Sequence, residues 1–99
     1  MIAVEGELDM NTAVELEREL EEPVRAGGLP LLIDLGSCEF IDSTGIALLV
    51  RSRQALEGDG DFAICGPSAQ VKRVLDLTGL RETIPTHHSR AEGIARLRT

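Results

Sequence analysis

No apolar run in this chain lasts more than a few residues. A membrane-crossing helix needs roughly 20, so no segment is expected to span a bilayer. Basic residues are also scarce. Ten lysines and arginines against 17 acids leave a formal charge of −7. That argues against nucleic acid as a partner, because such binding rests on cations that neutralise phosphates. Met1-Ile2-Ala3-Val4 runs straight into Glu5, Glu7 and Asp9 with no basic segment before it, so the start does not read as a signal peptide and a cytoplasmic location is expected. The two cysteines, Cys38 and Cys65, make neither C-x-x-C nor zinc spacing. Cys65 ends the apolar run Phe62-Ala63-Ile64 and is expected to be a small buried hydrophobe. The two histidines, His87 and His88, are adjacent, so their rings diverge and they lack the i, i+4 spacing of a helical metal pair. No P-loop glycine pattern is present, and the single lysine, Lys72, falls inside an expected helix. These absences remove membrane transport, nucleic-acid binding, zinc chemistry and P-loop nucleotide chemistry in turn.

What is present fits one compact domain over residues 1–99, long enough to bury roughly two-thirds of its unfolded surface. Charge is unevenly spread. Residues 1–50 carry 11 acids against Arg18 and Arg25, a balance of −9, whereas residues 51–99 carry six acids against eight bases, a balance of +2. An acidic first half steers association with a basic protein surface, or simply forms a solvated helix face. Nine arginines against one lysine suggest a GC-rich bacterial genome.

Hydrophobic periodicity gives the elements. Residues 2–8 alternate, with Ile2, Val4, Gly6 and Leu8 on one side, as in a half-buried strand. Thr12 and Glu15 have capping-box spacing ahead of a helix carrying Ala13, Leu16, Leu20 and Val24, ended by Gly27-Gly28 and Pro30. Leu31 to Leu35 reads as a strand covered on both faces. A loop holding Cys38 and Phe40 leads to a second helix from Ser43 or Thr44, with Ile46, Leu49, Val50 and Leu56, stopping at Gly58 and Gly60. Phe62 to Cys65 is a third strand, and Pro67-Ser68 opens a third helix closed by Gly79. Thr83-Ile84 reads as a short last strand, followed by a capping box at Ser89 and Glu92 and a terminal helix bearing Ile94 and Leu97. Alternating strands and helices predict an α/β fold, a mostly parallel or mixed sheet of about four strands with about four helices. Ligands and partners of such sheets meet the carboxyl ends of the strands, where Asp9, Asp42-Ser43 and Pro67-Ser68 fall.

The segment Ile41-Asp42-Ser43-Thr44-Gly45 carries the functional question. A serine at a helix start is a cap, a nucleophile or a phosphate acceptor. The nucleophile reading fails, since Ile41 stands where a nucleophile elbow needs glycine and Asp42 would oppose an oxyanion beside it. No catalytic residue is expected, and no enzyme. The acceptor reading survives: the loop is small and polar, and Gly45 is expected to keep its backbone open to a partner's active site. A phosphate adds about −1.5 to −2 charges, which a helix N-terminus tolerates and a packed partner does not. The residues alone leave Ser43 or Asp42 as a plain N-cap equally open.

Gly6-Glu7-Leu8-Asp9 with Thr12-Ala13, Ile33-Asp34-Leu35, Phe40-Ile41-Asp42-Ser43-Thr44-Gly45 and Val74-Leu75-Asp76-Leu77-Thr78-Gly79-Leu80 together resemble the STAS domain, more narrowly the bacterial anti-sigma-factor antagonists. The resemblance spans nearly the whole chain. It implies a protein that, unphosphorylated, binds an anti-sigma factor that is also a serine kinase of the GHKL type and so frees the sigma factor. Phosphorylation by that kinase ends the complex, and a serine phosphatase restores it. By motif position the acceptor is Ser43; Asp42 and Gly45 match its flanks, Thr44 the variable Ser/Thr place, and Asp9 an acidic residue close to the acceptor that helps position it. Asp9, Asp42, Ser43, Thr44 and Gly45 are thus the expected partner-binding residues. ATP and metal belong to the kinase, so no cofactor or metal is expected here. The family's additional N-terminal strand is missing from this sequence: either the domain is shortened, leaving an exposed sheet edge, or the start was trimmed or differently chosen; a monomer is expected. The STAS alternative is an accessory subunit of a lipid-transport ATPase or a stressosome-like assembly, with the same loop docking its partner without phosphorylation.

Overall fold

A computed structural model describes residues 1–27, 31–56 and 62–97, with side chains to residue 95. In chain order the elements are β1 (Ile2–Ala3), β2 (Gly6–Leu8), α1 (Ala13–Ala26), β3 (Leu31–Asp34), β4 (Cys38–Ile41), α2 (Ser43–Ala55), β5 (Phe62–Cys65), α3 (Ala69–Thr78), α4 (Leu80–Thr83), β6 (Thr86–His87) and α5 (Arg90–Leu97). Four parallel strands form one sheet in the order β1-β3-β5-β6, and β2 pairs in parallel with β4 beside it. The α/β class and the parallel pairing follow the alternation of apolar runs. Among the described residues the helices number five, because a single turn, α4, follows α3 directly.

The alternation over residues 2–8 is real but belongs to two strands. Val4 and Leu8 are buried as expected, while Gly6 is exposed at φ 74° and turns the chain between them. That left-handed backbone costs little for glycine and more for any residue with a Cβ. β3–β4 follows the same course: Val4 N donates to Asp34 O at 3.0 Å and Gly6 N to Ser37 O at 3.0 Å. The two chains therefore run side by side and turn together, and the segment with Cys38 and Phe40 is strand β4 where a loop was expected. On one side of β1 stands β3; no described strand lies on the other.

β5 is apolar throughout, and β3 up to its last residue Asp34, because both of their faces are covered. Ile33 and Ile64, aligned in register, face the main core with Leu16, Leu20, Leu48, Leu49, Val71 and Leu75. Leu32, Ala63 and Cys65 face the other way, toward Ile94 of α5. Burial of Cys65 is as expected. Both thiols are buried and free, and desolvation raises both above the ordinary cysteine value.

Several helix boundaries depart from the pattern. α1 runs through Pro23 and ends at Gly27; the expected stops at Gly28, Pro30, Gly58 and Gly60, and the side chain of Leu97, lie outside the described residues. The expected capping box at Thr12 does not form. The Thr12 hydroxyl donates to Glu7 O at 2.6 Å and accepts from Asp9 N at 2.9 Å, so it has no reach left for the helix amides. Ser68 does cap α3, accepting from Val71 N at 3.4 Å, and Gly79 closes that helix in the left-handed conformation. The last strand is Thr86–His87, three residues beyond the Thr83-Ile84 expected; Thr83 belongs to α4, and Ile84 turns extended and is fully buried. Ser89 accepts from Glu92 N at 3.1 Å at the start of α5, which is the serine half of the expected box.

Candidate functional site at the β2 and β4 ends

Parallel pairing of β2 with β4 decides the site. Leu8 and Ile41 are in register, and Asp42 N donates to Leu8 O at 3.1 Å. The next residues on the two chains, Asp9 and Asp42, therefore leave the sheet side by side, each at the carboxyl end of its strand. The expected neighbours are brought together.

The two aspartates do different local work. Asp42 is extended (φ −108°, ψ −176°), and its Oδ1 accepts from Gly45 N at 3.0 Å, while Ile46 N donates to its carbonyl at 3.0 Å. It is the N-cap of α2, the geometry in which a short carboxylate satisfies an otherwise unpaired amide. Asp9 turns back on its own loop. Its Oδ1 accepts from Asn11 N at 2.9 Å and Thr12 N at 3.0 Å, and Ala13 N donates to its carbonyl at 2.8 Å. The Thr12 amide first, with the Asn11 amide, holds the Asp9 carboxyl below the usual aspartate value. Asp9 thus fixes the start of α1 rather than hydrogen-bonding Ser43.

With the cap supplied by Asp42, Ser43 is released. It is the first helical residue of α2, it is exposed, and its hydroxyl makes no hydrogen bond among the described residues. The first turn of α2 carries no acidic residue. Thr44 beside it is half-buried. Gly45 is buried, and its role differs from the one expected. A Cβ there would stand 2.7 Å from Leu8 Cγ and 2.8 Å from Leu8 O. The glycine lets α2 start in contact with β2; it is turned inward and presents no surface to a partner.

Sequence reasoning missed the apolar groups around this end. Met10, beside Asp9, is 69% exposed, Val14 on the first turn of α1 52%, and Phe40, two residues before Asp42, 50%. Phe40 pairs with Glu7 on the outward side of the β2–β4 ribbon. An apolar residue inside the polar turn Asp9-Met10-Asn11 was the available signal. Exposed apolar groups beside acids are the makings of a protein contact surface.

The fold recurs in known proteins. The STAS domain family matches residues 1–93. The chain belongs to the STAS family. Among curated relatives, an anti-sigma-B factor antagonist of Staphylococcus epidermidis is 35% identical over 82 residues, covering 82% of this chain and 76% of that protein. A crystal structure of an anti-sigma factor antagonist from Mycobacterium paratuberculosis superposes with a TM-score of 0.89 at 30% identity, over 98% of this chain and 83% of that one. An anti-sigma-factor antagonist STAS domain protein from Planctomyces limnophilus gives 0.81 at 28%, over 92% and 80%. Within STAS domains, this one therefore belongs with the anti-sigma factor antagonists. No helix among the described residues of this STAS domain is long and apolar enough to cross a membrane.

Proposed function

We propose that this STAS domain acts by binding an anti-sigma factor through the β2–β4 end, and that phosphorylation of Ser43 ends the interaction. The anti-sigma factor is a serine kinase of the GHKL type that phosphorylates Ser43 with its own ATP and metal, and a serine phosphatase reverses the step. The chain itself is a binding protein, not an enzyme. The observation that carries the reading is the free hydroxyl: Asp42 caps α2, so Ser43 is exposed at the helix start with its oxygen uncommitted.

The energetics suit a switch in affinity more than one in shape. Added phosphate sits at a helix N-terminus, where the macrodipole and the unpaired amides stabilise an anion, so the domain keeps its fold. A partner packed over Ser43 meets about −1.5 to −2 new charges that it must desolvate or repel. A loss of roughly 3 kcal/mol is about a hundredfold in affinity. Met10, Val14 and Phe40 supply apolar contact around the switch, and Glu7, Asp9, Glu15 and Glu39 an acidic surround suited to a basic partner surface.

The test is affinity capture from the source organism's lysate with wild-type and Ser43→Glu baits, read by mass spectrometry. The expected result is a GHKL-type kinase held by wild type and lost by the variant. A transport ATPase held equally by both would overturn the reading.

A further inference from the structure

The geometry points to a second binding site, remote in sequence from Ser43: the cavity between α3, α4 and the end of β6 binds the phosphate group of a small metabolite through Lys72, Arg81, His87 and His88. The cavity measures about 230 Å³ and is lined by these four residues with Pro67, Thr86 and Glu92. β5 and β6 run parallel with Cys65 and His87 in register, so Gly66 and His88 leave the two carboxyl ends side by side, with Pro67 next along the chain. The crevice outside such ends is where open parallel sheets take ligands.

The charge here runs against the rest of the molecule. In a chain of −7, three elements and a loop place Lys72, Arg81 and two imidazoles around one depression, with Glu92 as the one lining carboxylate among the described residues. His87 is the most enclosed of them, its side chain 17% exposed, and its Nδ1 lies 3.8 Å from Glu92 Oε1, beyond hydrogen-bond range. Arg81 donates to Asp76 Oδ1 at 2.9 Å through one terminal nitrogen, which leaves the rest of its fork for an anion. Thr86 Oγ1 is directed to Ile84 O at 3.1 Å. A long polyanion would meet Asp76, Glu82 and Glu92 as well as the cations; a single phosphate fits within the depression. That favours a small phosphorylated molecule over nucleic acid.

The experiment is a ¹H–¹⁵N correlation titration of the intact chain with inorganic phosphate and, separately, adenosine monophosphate, at constant ionic strength against a chloride control. Saturable shifts are expected at Ser68, Lys72, His87 and His88, with affinity reduced about tenfold or more in the double variant Lys72→Gln/Arg81→Gln, as loss of charge-assisted bonds demands. Both substitutions are at exposed positions, and unchanged spectra elsewhere show that the variant is folded. Tighter binding of the nucleotide assigns the site to nucleoside phosphates, and equal binding to the phosphate group alone. No saturable shift with either probe, or identical titrations of wild type and double variant, would overturn the proposal.

Discussion

At the residue scale, one carboxylate decides what the serine can do. Because Asp42 caps α2, Asp42→Ala is expected to cost about 1 kcal/mol, lowering Tm by roughly 4–8 °C in a domain of this size. Ser43→Ala removes no side-chain bond among the described residues and is expected to stay within about 0.5 kcal/mol of wild type. Thermal denaturation of the two variants separates cap from switch. Gly45→Ala is expected to be the worst of the three, about 1–3 kcal/mol, since its new methyl meets the Leu8 carbonyl at 2.8 Å, a backbone atom with little freedom to move. Asp9 gives a pH signature. Its folded-state pKa lies below the unfolded value, so its contribution is present above 3.8 and is lost as pH falls through the lower folded value. Urea midpoints measured from neutral pH down to 3 should therefore fall more steeply below pH 4 for wild type than for Asp9→Asn.

At the element scale, what could be read from the sequence was whatever repeats. β3, β5 and α1 to α3 each carry several apolar residues at one period, and the pattern located them within a residue or two. β4 did not declare itself, because Cys38-Glu39-Phe40-Ile41 is buried, exposed, exposed and buried, which is neither alternation nor a continuous run. β6 has two residues, too few for any period. Residues 2–8 have the right alternation, but a single positive-φ glycine, not the period, decides that they serve two strands. Gly6→Ala has open space for its methyl, so its cost is backbone strain alone, expected at about 1 kcal/mol in chemical denaturation. At the site, the Ser43 loop and its two acids were legible as a motif. Their division of labour was not: the Thr12 to Glu15 spacing fits a capping box equally well, and only the three-dimensional turn shows Asp9 holding the Thr12 amide while the Thr12 hydroxyl bonds Glu7 O. The inward face of Gly45 depends on how closely α2 packs on β2, and that distance has no sequence signal.

At the scale of the whole molecule, the uneven charge and the two strand ends form one arrangement. The β2–β4 end lies in the half of the chain with a balance of −9, and the phosphate cavity is built from the half with +2. If the acidic half steers the domain to a basic partner, the association rate should fall about tenfold or more between low and high salt, with a much smaller change in dissociation; stopped-flow mixing at several ionic strengths reads this directly.

The most direct test of the switch is calorimetric titration of the purified anti-sigma factor with wild type, Ser43→Ala and Ser43→Glu, each checked by circular dichroism. The account predicts that the alanine variant binds like wild type and that the glutamate variant keeps its fold while losing about a hundredfold or more in affinity. Equal binding by the folded glutamate variant would contradict it.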